Sequence, residues 1–332
     1  MVRRMTNVLL HKAKVAKSDE FYTQFDDIER ELQYYMEHFR GKTIYCNCDD
    51  ARISNFYKYF YLNFKKLGLK RLIASCFRQQ TNDLFNNEKC EKGFYTDYRG
   101  EDTPQCENII PITYFNGDGD FRSSESIQLL QQSDIVVTNP PFSLFREFIA
   151  QVIRFKKDFL IIGNINAITY KEVFNLIQTN QIWLGVNMGR GISGFIVPNH
   201  YELYGTETKI DEVGNRIISP NNCLWLTNLK TPNRSSFIEL KKTYKGNEIS
   251  YPKYDNYDGI NINKTQDIPC DYNGAMGVPI TFLHKYNPSQ FEIIKFRKGI
   301  DEKDLSVNGK CPYFRILIRN KHPNTISMTA VV

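Results

Sequence analysis

The sequence has no apolar run long enough to cross a bilayer, which takes about 20 consecutive apolar residues. Its polar, basic opening, Met1-Val2-Arg3-Arg4-Met5-Thr6, is not followed by the apolar core of a signal peptide. Both absences predict a cytoplasmic protein. The eight cysteines lack paired metal spacing: Cys46 and Cys48 are separated by one residue, and the others stand alone. They read as reduced thiols, mostly in the core. The five histidines, His11, His38, His200, His284 and His322, are equally dispersed, so no metal is expected. Internal repeats and low-complexity tracts are lacking too. What is there suffices for a globular core: 332 residues at 41% hydrophobic content allow one large domain or two smaller ones. A formal net charge of +6 with 14% aromatics suits a polyanionic partner without requiring one.

One stretch organises the rest: Ser133-Asp134-Ile135-Val136-Val137-Thr138-Asn139-Pro140-Pro141-Phe142-Ser143. Three β-branched residues, Ile135 to Val137, predict a strand buried on both faces. Pro140 and Pro141 stop it, because they offer no amide hydrogen to a sheet and push their predecessors away from helix. Asn139 is thereby presented at a strand's carboxyl end, where ligands of open α/β sheets bind. Phe145, Phe148, Ile149, Val152 and Ile153 follow at helical spacing. Such an Asn-Pro-Pro-aromatic loop has a chemical use. An amino group conjugated to a ring is a poor nucleophile, since its lone pair is delocalised. The Asn139 side-chain oxygen and a proline carbonyl can accept both amino hydrogens and favour the orientation that frees the lone pair, while Phe142 stacks on the ring. The bland alternative is a rigid turn between strand and helix.

Elsewhere, Ile28, Leu32, Tyr35, Met36 and Phe39 predict an amphipathic helix ended by Gly41. Thr43 to Cys46 reads as a strand ending in the loop Asn47-Cys48-Asp49-Asp50, and a helix starts near Ser54. Asp49 and Asp50 either cap that helix or serve a ligand. A second strand runs Arg71 to Phe77, and the polar stretch Arg78 to Ile112 reads as an irregular insertion or hairpin. Gly117-Asp118-Gly119-Asp120-Phe121 is a glycine turn that also lets backbone approach a flat ligand. Strands at Phe159–Gly163 and Ile182–Val186 with a helix from Ile168 to Ile177 imply a mostly parallel sheet covered on both faces. Gly189 to Pro198 is a glycine-broken loop feeding a short strand, Val213 to Arg216 a hairpin turn, and Cys223 to Leu229 the last strand. From Lys230 the character changes, with basic residues interleaved among Tyr244, Tyr251, Tyr254 and Tyr257. Lys241, Lys242 and Lys245 are candidate contacts to a DNA backbone, and the alternative is a solvated face over packed tyrosines. The segments Pro269 to Phe282 and Asn287 to Ile294 read as shaped loops, and Arg315 to Arg319 as a basic strand.

Asn139-Pro140-Pro141-Phe142 resembles motif IV of the amino-group DNA methyltransferases. The wider match, from Asp19–Gln24 through Cys46–Asp50 to Thr281-Phe282, resembles the EcoRI-type adenine-specific DNA methyltransferase family over most of the chain. The resemblance implies an α/β, Rossmann-like S-adenosylmethionine-dependent methyltransferase fold with a mostly parallel central sheet. Residues 1–229 would form the catalytic domain and 230–332 a smaller target-recognition region. The implied activity is site-specific N6-methylation of an adenine flipped out of double-stranded DNA, beside a cognate restriction endonuclease or as an orphan methylase. Asn139, Pro140, Pro141 and Phe142 would be catalytic. Phe21, Tyr22, Thr23, Gln24, Cys46, Asn47, Asp49, Asp50, Asn139 and one of Asp118 or Asp120 would hold S-adenosylmethionine, a carboxylate at 49–50 pairing with its ammonium group. Phe195 is a candidate second wall for the base beside Phe142, or else a core aromatic. A monomer without metal or membrane partner is expected. Two departures stand out: the loop at 47–50 has no glycine, and no acidic residue ends the strand at 71–77 to hold the ribose. They favour a DNA-binding module with a decayed cofactor site as one alternative. The other is an RNA-base or protein-glutamine methyltransferase, which uses the same loop.

Overall fold

A computed structural model describes residues 22–78, 92–100, 110–187, 192–197, 208–212, 214–219 and 222–324. Contacts divide the chain into two compact units, Met1–Val173 with Leu184–Leu229, and Phe174–Trp183 with Lys230–Val332.

In the first unit the strands are β1 (Tyr22–Thr23), β2 (Thr43–Asn47), β3 (Arg71–Cys76), β4 (Phe94–Tyr98), β5 (Thr113–Tyr114), β6 (Ile135–Thr138), β7 (Asp158–Asn164), β8 (Trp183–Leu184), β9 (Phe195–Val197), β10 (Thr208–Ile210), β11 (Arg216–Ile218) and β12 (Cys223–Thr227). Eight of them form one sheet in the order β5-β4-β3-β2-β6-β7-β12-β8. Every residue of β2, β6 and β12 is buried, as their near-continuous apolar runs require. Helix Phe25–Leu32 ends in a short 3-10 turn and helix Met36–Phe39, after which Gly41 takes a φ of +69°. Helix Asn55–Leu62 starts at Ser54, whose Oγ accepts from the amides of Phe56 (3.1 Å) and Tyr57 (3.3 Å). Helix Phe145–Arg154 turns Phe145, Phe148, Ile149 and Val152 inward, the face given by their spacing.

Three expectations need correction. The sheet is mixed: β3-β2-β6-β7 run parallel, but β4, β5 and β12 pair antiparallel with their neighbours. In the polar stretch 78–112 the irregular insertion gives way to the hairpin: it holds a sheet strand, β4, paired antiparallel with β5, in which Phe94 and Thr96 face inward while Tyr95 and Asp97 are half-buried. Its alternation is correct for a strand and is obscured by the polar residues around it. Helix Lys171–Gln178 starts later than Ile168, because Asn164 caps a separate 3-10 turn over Ile165–Thr169. A second small sheet has the order β1-β9-β11-β10, all antiparallel, and Gly214 at φ +89° lies in the turn between β10 and β11. Among the described residues no helix is long and apolar enough to cross a membrane.

The second unit carries β13 (Gly259–Asn261), β14 (Ala275–Pro279), β15 (Phe291–Phe296) and β16 (Arg315–Asn320) in the order β13-β14-β16-β15. Phe282 packs edge-on against Phe291 at 5.3 Å, both fully buried. Tyr251 and Tyr254 are buried and not free to stack on a base, and the Tyr254 hydroxyl donates to Asn261 Oδ1 at 3.0 Å. On β16, Arg315 also turns inward, donating to Asn261 Oδ1 (2.9 Å) and Asn263 Oδ1 (3.1 Å), while Arg319 is exposed and lies 3.4 Å from Glu292.

Candidate active site

β6 delivers Asn139 half-buried at its carboxyl end, beside buried Pro140. The turn closes through the amide of Leu144 on the carbonyl of Pro141, 3.0 Å, and passes into the helix at Phe145. Phe142 is half-buried against the core, so part of its ring remains open.

Thr138, the one polar residue of β6, ties this turn to the loop at 47–50. Its Oγ1 lies within hydrogen-bonding distance of the Asn47 carbonyl and 2.5 Å from Asp49 Oδ2. Asp49 Oδ1 accepts from Ser54 Oγ at 2.7 Å, and the Asp49 amide donates to the Ser75 carbonyl at 2.8 Å. Cys48 makes the bend possible by taking a left-handed φ of +68°. A threonine hydroxyl has one hydrogen. That hydrogen is shared between the Asn47 carbonyl and Asp49 Oδ2, both of which accept from Oγ1. Burial raises Asp49 to about 7, against partial lowering by the bonds from Ser54 and Thr138.

Asp50 behaves differently. Burial alone would raise it, but Arg52 (2.6 Å) and Arg78 (2.8 Å) outweigh burial and hold its carboxyl below the ordinary range. Of the two carboxylates, Asp49 is thus the one without a cationic side chain. Among the described residues Asn47 Oδ1 and Thr23 Oγ1 are buried without a hydrogen-bond partner. Such atoms cost stability unless something satisfies them, and a ligand rich in donors and acceptors fits that deficit.

Tyr22 and Thr23 pair with Ile196 and Phe195. Gln24 Nε2 donates to Ser193 Oγ (2.7 Å) and to the Gly194 carbonyl (3.1 Å), and Asn55 Nδ2 donates to the Thr23 carbonyl (2.8 Å). Buried Asp27 and Glu31 pin the same returning segment, through the Ser193 amide (2.7 Å) and the amides of Val186 (2.7 Å) and Asn187 (2.8 Å). Phe195 is fully buried, with its ring edge-on to Phe142 at 6.1 Å, so it supports that ring from behind. Cys46 is fully buried within β2. Phe21 lies outside the described residues.

The glycine turn separates its two acids. Asp120 is held by both Nε (2.9 Å) and Nη2 (2.7 Å) of Arg122, which outweigh burial and keep it below its ordinary pKa. Asp118 Oδ1 accepts the Asp120 amide at 3.0 Å, and among the described residues Oδ2 has no hydrogen bond. Gly119 needs its missing side chain: its φ is +80°, and a Cβ there would lie 2.5 Å from the Cys76 carbonyl oxygen. Gly119→Ala is expected to lower stability by about 3 kcal/mol, measured as a lower urea midpoint at unchanged slope.

In the second unit Lys241, Lys242 and Lys245 are exposed, with Lys241 3.1 Å from Glu239. Thr138, Ser54 and Asn55 were not singled out from the sequence. Thr138 had a signal, as a lone polar residue ending an apolar strand next to Asn-Pro-Pro.

A family model described as adenine-specific methyltransferase EcoRI matches residues 9–321. Type II methyltransferase M.EcoRI of Escherichia coli is 67% identical across 97% of this chain and 99% of that relative. M.MgeORF184P of Mycoplasma genitalium is 39% identical across 94% of this chain and 98% of its own length. M.MpnI of Mycoplasma pneumoniae is 39% identical across 86% and 84%. No solved structure matches the chain significantly. With a family match over nearly its whole length around an Asn-Pro-Pro-Phe turn locked to a buried acidic loop, the chain belongs to the EcoRI family of adenine-specific methyltransferases.

Proposed function

We propose that the chain methylates the N6 amine of adenine at a specific site in double-stranded DNA, with S-adenosylmethionine as donor, on a Rossmann-like catalytic unit. The observation that carries the reading is the Thr138 hydroxyl, which joins the amine-holding turn to the Asn47–Asp50 loop and so fixes the two halves of a transfer site in one rigid frame. Asn139 and the Pro140 carbonyl accept the hydrogens of the target amine, and Phe142, backed by Phe195, stacks on the adenine. The target lies inside a base-paired stack, so the nucleotide is extruded at a cost of a few kcal/mol. When bound, S-adenosylmethionine supplies a methyl carbon made electrophilic by its sulfonium. Asp49 would hold the cofactor's ammonium group, the oxygens of Thr23 and Asn47 would meet its polar end, and Asp118 would accept a hydrogen from the amino group of the cofactor's own adenine. Positioning supplies much of the rate.

Charge supports DNA as the partner. Residues 230–332 contain 16 Lys and Arg against 10 Asp and Glu, while residues 1–229 are balanced at 27 against 27. The entire net charge of +6 therefore belongs to the region proposed to contact the target. We place the protein in the cytoplasm as a monomer, as the modification partner of an endonuclease that cuts the same site. Incubation with labelled S-adenosylmethionine and duplex DNA, RNA or protein tests the reading. Label appearing as N6-methyladenine at one short DNA sequence is the expected result, and transfer only to RNA or protein would overturn it.

A further inference from the structure

The segment Asn287 to Ile294 has an assignable task in the second unit. Buried Gln290 accepts the Ile238 amide at 2.7 Å and donates to the Ile238 carbonyl at 2.8 Å, while buried Asn287 donates to the Ser236 carbonyl at 3.2 Å. Two buried amides thus hold the short loop 236–238 rigid, although Phe237 at its tip is 63% exposed. Phe237 is thereby presented at the rim of the loop and kept out of the core. The loop is one wall of a cavity of about 440 Å³ whose other walls carry Thr265, Gln266, His284 and Lys285. Gln266 and Lys285 are exposed, and no side-chain hydrogen bond or ion pair engages them among the described residues. His284 Nδ1 is buried without a partner. Glu239, the acid at the rim, faces Lys241 at 3.1 Å.

We propose that this cavity is the surface with which the second unit grips duplex DNA, Gln266 meeting base edges in the major groove and Lys285 a phosphate. This rests on the reading of the chain as a DNA methyltransferase. The chemistry selects the occupant. A glutamine amide matches the paired donor and acceptor of adenine, an exposed aromatic side chain suits the thymine methyl, and a lysine displaces a phosphate counterion. The net charge of +6 carried by residues 230–332 as a whole supplies the complementary sign around a lining in which Glu239 and Lys285 balance.

The test uses the full-length protein and a duplex carrying the sequence that the wild type methylates, with binding followed by fluorescence anisotropy at several salt concentrations. Gln266→Ala is expected to weaken binding about 10- to 100-fold without changing the salt slope, and to relax selectivity at one base pair. Lys285→Ala is expected to weaken binding to all duplexes and reduce the salt slope by about one. In both variants the loss falls on the KM for DNA, not on affinity for S-adenosylmethionine. Unchanged thermal unfolding shows that each remains folded. Wild-type DNA affinity and selectivity in both variants would overturn the proposal. A wild-type protein that methylates no DNA would instead overturn the reading on which it rests.

Discussion

Asn139→Ala is expected to lower methyl transfer at least about a hundredfold while S-adenosylmethionine affinity changes little. The amine of adenine must lose conjugation with its ring before its lone pair can attack, and in the proposed mechanism that work falls to two acceptors, one of them Asn139. Removing one acceptor from a held reacting group costs about 100-fold or more when geometry is the main source of rate. The expectation that cofactor binding survives follows from the structure. The Asn47–Asp50 loop keeps its own supports in Ser54, Ser75 and Thr138, none of which passes through the Asn139 side chain. Single-turnover transfer and equilibrium titration of the cofactor separate the two effects. Turnover within threefold of wild type would remove Asn139 from its assigned role.

The second large effect concerns protons. Asp49, with an ordinary pKa of 3.8, is raised by burial to about 7 in the folded protein. The native state therefore holds this proton more tightly than the unfolded chain, and stability from it is fully present below about pH 4 and lost as pH rises through about 7. Three pH units correspond to on the order of 4 kcal/mol. Asp49→Asn should remove that slope, and the comparison isolates Asp49 from Asp27 and Glu31, whose carboxyls burial also raises. Urea unfolding of both proteins across pH 4.5 to 8 measures the difference. Equal slopes would show that Asp49 is ionised throughout.

Ligand binding gives the opposite sign at the same group. An ammonium pairing with Asp49 requires the carboxylate, so binding below about pH 7 expels the proton that Asp49 carries. Affinity for S-adenosylmethionine should rise about tenfold per pH unit up to about 7 and then level off. Calorimetry in two buffers of different ionisation enthalpy should detect about one proton released at pH 6. In Asp49→Asn the pH dependence disappears and affinity is weak throughout. A pH-independent affinity in the wild type would assign the ammonium to another group.

The parts of the molecule legible in the sequence were those set by local chemistry. Ile135 to Val137 could only be a buried strand, and two prolines could only end it, so the position of Asn139 followed from residues adjacent to it. The start of a helix at Ser54 and the αL turn at Gly41 were legible for the same reason. β4 was not, because its alternating pattern is short and lies among polar residues, and pairing with β3 and β5 is what fixes it as a strand. The charge asymmetry was present in the sequence but vanishes when charge is averaged over the whole chain.

The sequence by itself determined which side chains were available to hold an amine, and in which local conformation, since steric limits on proline and the spacing of apolar residues act within a few positions. Only the tertiary structure decided that Asp49 and Asp50, and likewise Asp118 and Asp120, have different partners. Arg78 reaches Asp50 from 28 residues away, Thr138 reaches Asp49 from 89, and Arg122 takes Asp120 two residues before it. The charge state of a carboxyl depends on which cation or hydroxyl folding brings within about 3 Å and on how much water it excludes, and neither can be read along the chain.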